Sequence, residues 1–331
     1  MRFGRVTVGM GVGWGFWLLL LAVSAPAQQV SDPDFDTSVV RPAYPAGGPV
    51  VVLDEAHANF HTADGRYRPF ADLLRNDGYT VLAGETAFDA EALSGVDVLV
   101  VANALPPHGA APGTQAVTER EADAVRDWVR DGGSLLLIAD HTPFGGAVED
   151  LGRRFGVAMG KGWVWDYRES GDGITTQLVS SRENGRLGDH PLLRGRDASE
   201  EVTTVRSFSG QSLGVPPGAT VLMRLGETAR EAPSGPDLEA IGEALESDAP
   251  PGSFEAAVEA HSAPVGGRAQ GAALTFGEGR VVVLGEAAML SAQVATLADP
   301  PVTIRVGMNV PGYDNRQFLL NTLHWLSGLL D

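Results

Sequence analysis

The chain contains no cysteine, and a single lysine, Lys161, stands among 24 basic side chains set against 42 acidic ones. The missing thiol excludes disulfides, thiolate zinc sites, iron–sulfur ligation and any cysteine nucleophile. The shortage of cations excludes a phosphate-backbone surface, which needs a clustered basic footprint, so nucleic acid is not an expected partner. What remains is an acidic chain of 331 residues, formal net charge −18, with 44% hydrophobic and 20% charged residues. That balance describes a globular core-former, of a length suited to one large α/β domain or two small ones. Any chemistry it performs rests on oxygen and imidazole.

Residues 1–27 carry Arg2 and Arg5, then the apolar run Trp14–Val23, then Ala25-Pro26-Ala27. A basic start, a short apolar stretch and a small-x-small site predict a cleaved signal peptide, a mature chain starting at Gln28, and export to the periplasm or the medium without stable membrane insertion. Residues 28–48, with Pro33, Pro42, Pro45 and Gly47-Gly48, read as a flexible lead-in.

From Val50 onward, short aliphatic runs alternate with amphipathic stretches. The pattern predicts strands at Val50–Leu53, Tyr79–Leu82, Val96–Val101 and Ser134–Ala139, with helices at Tyr67–Asn76 and at Thr118–Arg130, the latter opened by a Thr118–Glu121 capping box. Strands alternating with helices predict a three-layer α/β domain over 49–331 with a mostly parallel, doubly wound, flavodoxin-like sheet. The second half adds strand candidates at Ile174–Val179, Glu201–Arg206, Thr220–Arg224, Ala272–Phe276 and Arg280–Leu284, and closes with a helix at Gln317–Leu330. Residues 226–260 hold nine acids, one arginine and four prolines, and read as a mobile, solvated acidic insertion.

In parallel α/β sheets ligands bind beyond the carboxyl ends of the strands. There the sequence places Asp54, Glu55, His57, Asn59 and His61 after the first run, Asn103 after the third, Asp140 and His141 after the fourth, and Glu286 after Arg280–Leu284; Gln293 and Asn315 precede or open the last helix. Asp54, His57, His61, Asp140 and His141 form an imidazole and carboxylate set suited to zinc, manganese or iron, with Glu55 or Glu286 as the base on a metal-bound water. The same residues also suit helix caps and loop ties.

Other motifs carry less. Asp54-Glu55-Ala56-His57 spells a helicase box, but no phosphate-binding G-x4-G-K-[ST] loop accompanies it. The pair His57 and His61 has alanine at position 58, where a metalloprotease helix carries its glutamate. Gly210-Gln211-Ser212-Leu213-Gly214 matches a nucleophile elbow, yet Val215-Pro216-Pro217-Gly218 follows where a helix must start.

Asp54-Glu55-x-His57-x-Asn59, the run Leu74-Arg75-Asn76-Asp77-Gly78-Tyr79, Asn103, Gly132-Gly133-Ser134 leading into Leu135–Asp140, and Asn321-x2-His324-Trp325-Leu326 together resemble the class I glutamine-amidotransferase-like superfamily. They look most like a secreted branch of it, related to the domain of gliding-motility-type transporter auxiliary proteins and of an intraflagellar-transport protein. The resemblance implies the amidotransferase-like α/β fold. Asp140-His141 stands where the amidotransferases carry their cysteine elbow, so glutaminase activity is excluded. Two functions follow: a secreted metal-assisted hydrolase acting on a small molecule, or a non-catalytic domain of the cell envelope that binds a glycan or a partner protein. For the second, Trp163, Trp165 and Tyr167 alternate on one expected strand and suit stacking on sugar rings.

Overall fold

The computed structural model describes residues 29–166, 175–245, 249–298 and 301–331. The expected signal peptide and Tyr167 lie outside these residues.

The aliphatic runs of the first half form strands, and they lie side by side. β3 (Thr80–Gly84), β2 (Val50–Asp54), β4 (Val98–Ala102), β5 (Ser134–Ile138) and β15 (Gly279–Leu284) are neighbours in that order and parallel. Beyond β15 the pairing reverses. β14 (Ala269–Phe276), then β10 (Leu213–Gly214) and β6 (Ala158–Met159), continue the sheet antiparallel, and β11 (Thr220–Arg224) also pairs with β14. Three smaller sheets are wholly antiparallel: β1 (Gln29–Ser31) with β16 (Ala292–Ala298) and β17 (Pro301–Gly307); β13 (Ala263–Pro264) with β12 (Ala229–Ala232) and β7 (Trp163–Asp166); and β8 (Gln177–Ser181) with β9 (Thr204–Phe208).

The expected mostly parallel, doubly wound, flavodoxin-like sheet is therefore corrected to a mixed main sheet with antiparallel satellites. The reason is connection length. Phe276 pairs with Gly279 across a tight turn, and a parallel pair needs a crossover of a dozen or more residues that this turn lacks.

Alternating residues of the central strands feed two cores. Val98, Val100, Leu136 and Ile138 face the helices Arg68–Asn76 and Asn315–Leu326, while Leu99, Val101, Leu135 and Leu137 face the helix Glu119–Arg130. Glu119–Arg130 starts at the expected capping box, where Thr118 accepts from Glu121 N and Glu121 reciprocates. Against the first face, His324 Nε2 meets Asp77 Oδ2 at 2.7 Å, both side chains fully buried. Two motifs far apart in sequence thus close on one another as a structural pair.

The lead-in is not loose. β1 pairs with β16, Phe35, Val39 and Tyr44 pack on the first core, and Ala43 N donates to Asp77 Oδ1 at 2.8 Å. Gly78, at φ +99°, lets the Tyr44 carbonyl pass where any Cβ would collide with it. The acidic segment is likewise folded over its described part. It contains β12 and the helices Gly235–Ala244 and Ser253–His261, whose Leu238, Ile241 and Val258 bury against Trp165 and Ala232. Average composition hid a few apolar residues that a folded partner needs. Among the described residues no helix is long and apolar enough to cross a membrane.

Candidate functional site

The strand ends of β2, β4, β5 and β15 open onto one edge of the main sheet, and the residues expected there separate into three hydrogen-bonded groups.

The first is built on Asp54, the fully buried last residue of β2. His57 Nδ1 meets its two oxygens at 2.9 and 3.0 Å, and Asn59 Nδ2 donates to Oδ2 at 2.9 Å. The other face of the imidazole is also taken, with Nε2 lying 3.0 Å from Glu121 Oε1. Burial works against protonation of His57, but the hydrogen bonds and charges of Asp54 and Glu121 outweigh it and hold its pKa above the ordinary value. Phe88 covers the ring, centroids 4.6 Å apart, and Phe88 N donates to the same Glu121 oxygen at 3.1 Å. Glu121 was legible only as a helix cap. Its second role required the loop at Phe88 and the β2 end to meet the helix start.

The second group joins β4 to β5. Asn103, at φ +50°, accepts from Asp140 N through Oδ1 at 2.9 Å and from Phe60 N through its carbonyl at 3.0 Å. His141 Nδ1 lies 2.9 Å from the Thr142 carbonyl, and its ring stacks on Trp163 with centroids 3.2 Å apart and planes 16° apart.

The third group lies beyond β15. Ile138 and Leu284 are register partners, so Asp140 and Glu286, each two residues further on, end up side by side. Glu286 is fully buried and accepts from Ala288 N at 2.6 Å and Met289 N at 2.9 Å, clamping the turn Ala288–Leu290. Burial first, and then the Asp140 charge, push the Glu286 carboxyl well above the usual range, against backbone N–H groups that favour its anion. Tyr67 OH donates to the Ala287 carbonyl at 2.7 Å. Asn315 is spent on backbone, bonding Arg206 N, Arg206 O and the Met289 carbonyl. Gln293 sits on β16 and donates to Ser291 Oγ at 2.6 Å.

The remaining expected residues are local. Glu55 Oε1 accepts from Ala63 N at 2.7 Å, which shapes the loop after β2. His61 stacks on Tyr67 at 4.4 Å, and burial, with the nearby Arg66 charge, depresses its pKa to about 3. Ser212 Oγ donates to Glu231 Oε2 at 2.5 Å and is fully buried, a structural serine.

A divalent ion does not fit this arrangement. Both nitrogens of His57 already face carboxylates, His61 belongs to an aromatic stack, and His141 faces a backbone carbonyl and an indole. Among the described residues no three His, Asp or Glu side chains are grouped to hold a metal. Glu286, expected as a base, is a carboxyl that resists ionisation, and Glu55 is occupied with backbone.

What the strand ends do present is aromatic surface. From Trp163 the row runs to His141, then Phe144 at 6.3 Å, then Phe60 at 5.5 Å from Phe144, and ends where the Arg66 guanidinium lies 3.8 Å above the Phe60 ring. Phe60 is 42% exposed, and Trp163, His141 and Arg66 are half-buried. The sequence placed Phe60 and His141 at strand ends but offered no sign that their rings would align with Trp163.

No protein-family profile matches the chain, and no curated protein matches it in sequence. Among solved structures the chain is similar to the "mmIFT52 N-terminal domain", with 13% identity, 84% of this chain and 97% of that one covered, and a TM-score of 0.55. It also aligns with a putative ThuA-like protein from Bacteroides uniformis, at 11% identity over 89% of this chain and 95% of that one, TM-score 0.40. A third is a cytoplasmic protein from Salmonella typhimurium LT2, at 12% identity over 84% and 99%, TM-score 0.38. The first of these likenesses concerns fold alone. The expected membership of the class I glutamine-amidotransferase-like superfamily is corrected on these findings: the fold is similar to the mmIFT52 N-terminal domain, no family profile supports the superfamily, and the sheet is mixed. Motifs such as Asp77-Gly78 and His324-Trp325 carried the resemblance, and here they are packing devices.

Proposed function

We propose that the chain is a non-catalytic, exported glycan-binding domain, with Trp163, His141 and Phe60 as its platform and the buried Phe144 joining them. The observation that carries this reading is the set of partly open rings Trp163, His141 and Phe60 along the strand ends, linked through the buried Phe144, where His57, Asp54 and Glu121 are already committed to one another. Flat aromatic faces bury the apolar faces of sugar rings, and spaced rings meet successive residues of a chain. A metal-assisted hydrolase has less support, because its ligands and base are already committed. Export rests on the basic, apolar and small-residue pattern of residues 1–27.

The test is calorimetric titration of the full mature protein with neutral tetrasaccharides, cellotetraose and chitotetraose among them. Binding that weakens at least tenfold in both Phe60→Ala and Trp163→Ala, with melting temperature preserved, supports the reading. Binding that ignores both substitutions, or no binding by any saccharide, ends it.

A further inference from the structure

We infer that the aromatic row selects an acidic saccharide, a sugar carrying a uronate or a sulfate ester, and that Arg66 holds the anionic group. This rests on the glycan reading above and adds the charge of the ligand.

The starting point is an unpaired cation in an acidic protein. Carboxylates outnumber basic groups 42 to 24, and arginines elsewhere readily find them: Arg41 meets Asp197 and Glu200, Arg126 meets Asp123, and Arg196 meets Glu200. Arg66 makes no ion pair and donates no hydrogen bond among the described residues. Its Nε is closed off from solvent with no partner. Burial draws its pKa down, the sign of a guanidinium that has lost water without gaining an anion. The exposed Asp64, two residues away, forms no ion pair with it.

Its surroundings are built rather than accidental. The turn that carries it is closed by Gly65 N to Thr62 O and Tyr67 N to Thr62 O, and Ser31 Oγ donates to the Gly65 carbonyl at 2.5 Å, so the N-terminal strand braces it. Phe60 lies beneath the guanidinium and fixes its plane. Beside it His61 is 3% exposed and leaves Nδ1 without a partner. Burial, and then the Arg66 charge, keep a second positive charge from forming there, so Arg66 stands as a single cation beside an aromatic platform, over a buried neutral imidazole. That combination suits a single negative charge attached to a ring that stacks. A guanidinium meets carboxylate or sulfate oxygens through paired N–H donors, and the ring would lie against the exposed Phe60.

The experiment compares tetragalacturonate, a sulfated carrageenan tetrasaccharide and neutral cellotetraose on the full mature protein at low salt and at 0.5 M NaCl. The expected result is at least tenfold tighter binding of one acidic tetrasaccharide than of cellotetraose, weakened by salt. Arg66→Gln should remove that preference and leave cellotetraose within twofold, while Arg66→Lys should restore part of it. A preference for the uronate or for the sulfate ester names the source of the anion, and either supports the inference. Equal binding of acidic and neutral saccharides, or a preference that survives Arg66→Gln, overturns the inference and leaves the glycan reading standing. Failure of all three to bind removes both. Unchanged melting of Arg66→Gln separates loss of recognition from loss of fold.

Discussion

His57 illustrates how two carboxylates turn a candidate ligand into a structural ion. Both ring nitrogens face acids, Asp54 and Glu121, so the cationic ring satisfies both at once and the neutral ring only one. Because the folded pKa is raised, the associated stability is complete below the unfolded value of about 6.5 and is lost as pH rises through the folded value. His57→Gln should lower unfolding free energy by about 3 kcal/mol, since it takes from two buried acids the positive charge they share. NMR titration should place the His57 pKa above the ordinary histidine value of about 6.5, and a value below it would contradict the ion triad.

His61 works in the opposite direction. Its folded pKa is about 3, so the unfolded chain binds the proton first, and stability present above about pH 6.5 declines as pH falls toward the folded value. His190, depressed to about 4 by burial and by Arg194 and Arg280, adds to the same acid window. His61→Phe keeps the stack on Tyr67 and removes one protonation site. Urea midpoints measured between pH 7 and pH 4 should therefore fall less steeply in His61→Phe than in the parent protein.

At the scale of elements, the two segments expected to be loose are the ones whose anchors are long-range. The lead-in contributes Phe35, Val39 and Tyr44 to the core and Arg41 to Glu200 at 2.6 Å. Starting the chain at Gly47 should cost about 3 kcal/mol or more in a urea titration, from lost apolar burial alone; no change would mean that the segment merely rests on the surface. The acidic segment is tied down by Glu231, which accepts from Gly162 N at 2.9 Å, Ser212 N at 3.2 Å and Ser212 Oγ. Glu231→Ala leaves those buried donors unpaired, at about 2 kcal/mol or more. It should also open the helices Gly235–Ala244 and Ser253–His261 to limited proteolysis at protease levels the parent chain withstands.

At the scale of the whole molecule, the sheet edge that carries the aromatic row also borders the N-terminal strand, since Ser31 on β1 bonds the turn below Arg66. A chain processed after Ala27 would begin one residue before β1. Intact mass of the exported protein should correspond to a start at Gln28, and a mass retaining residues 1–27 would contradict the proposed processing.

The sequence alone determined what depends on neighbours along the chain. The strands from Val50 to Ile138, the Thr118–Glu121 cap and the exclusion of thiol chemistry and of a helical glutamate after His57 follow from local spacing and residue type. The hairpin of β14 and β15 was also there to be read, in the short gap between Phe276 and Arg280. Tertiary structure decided everything that joins distant segments. It put Glu121 on His57, Glu231 on Ser212, and Trp163 on His141 in line with Phe60. It also left Arg66 without an acid in a chain rich in acids. Periodicity tells which face of an element is apolar, whereas pairing of polar groups depends on which faces meet, and that is a property of the packed sheet rather than of any one segment.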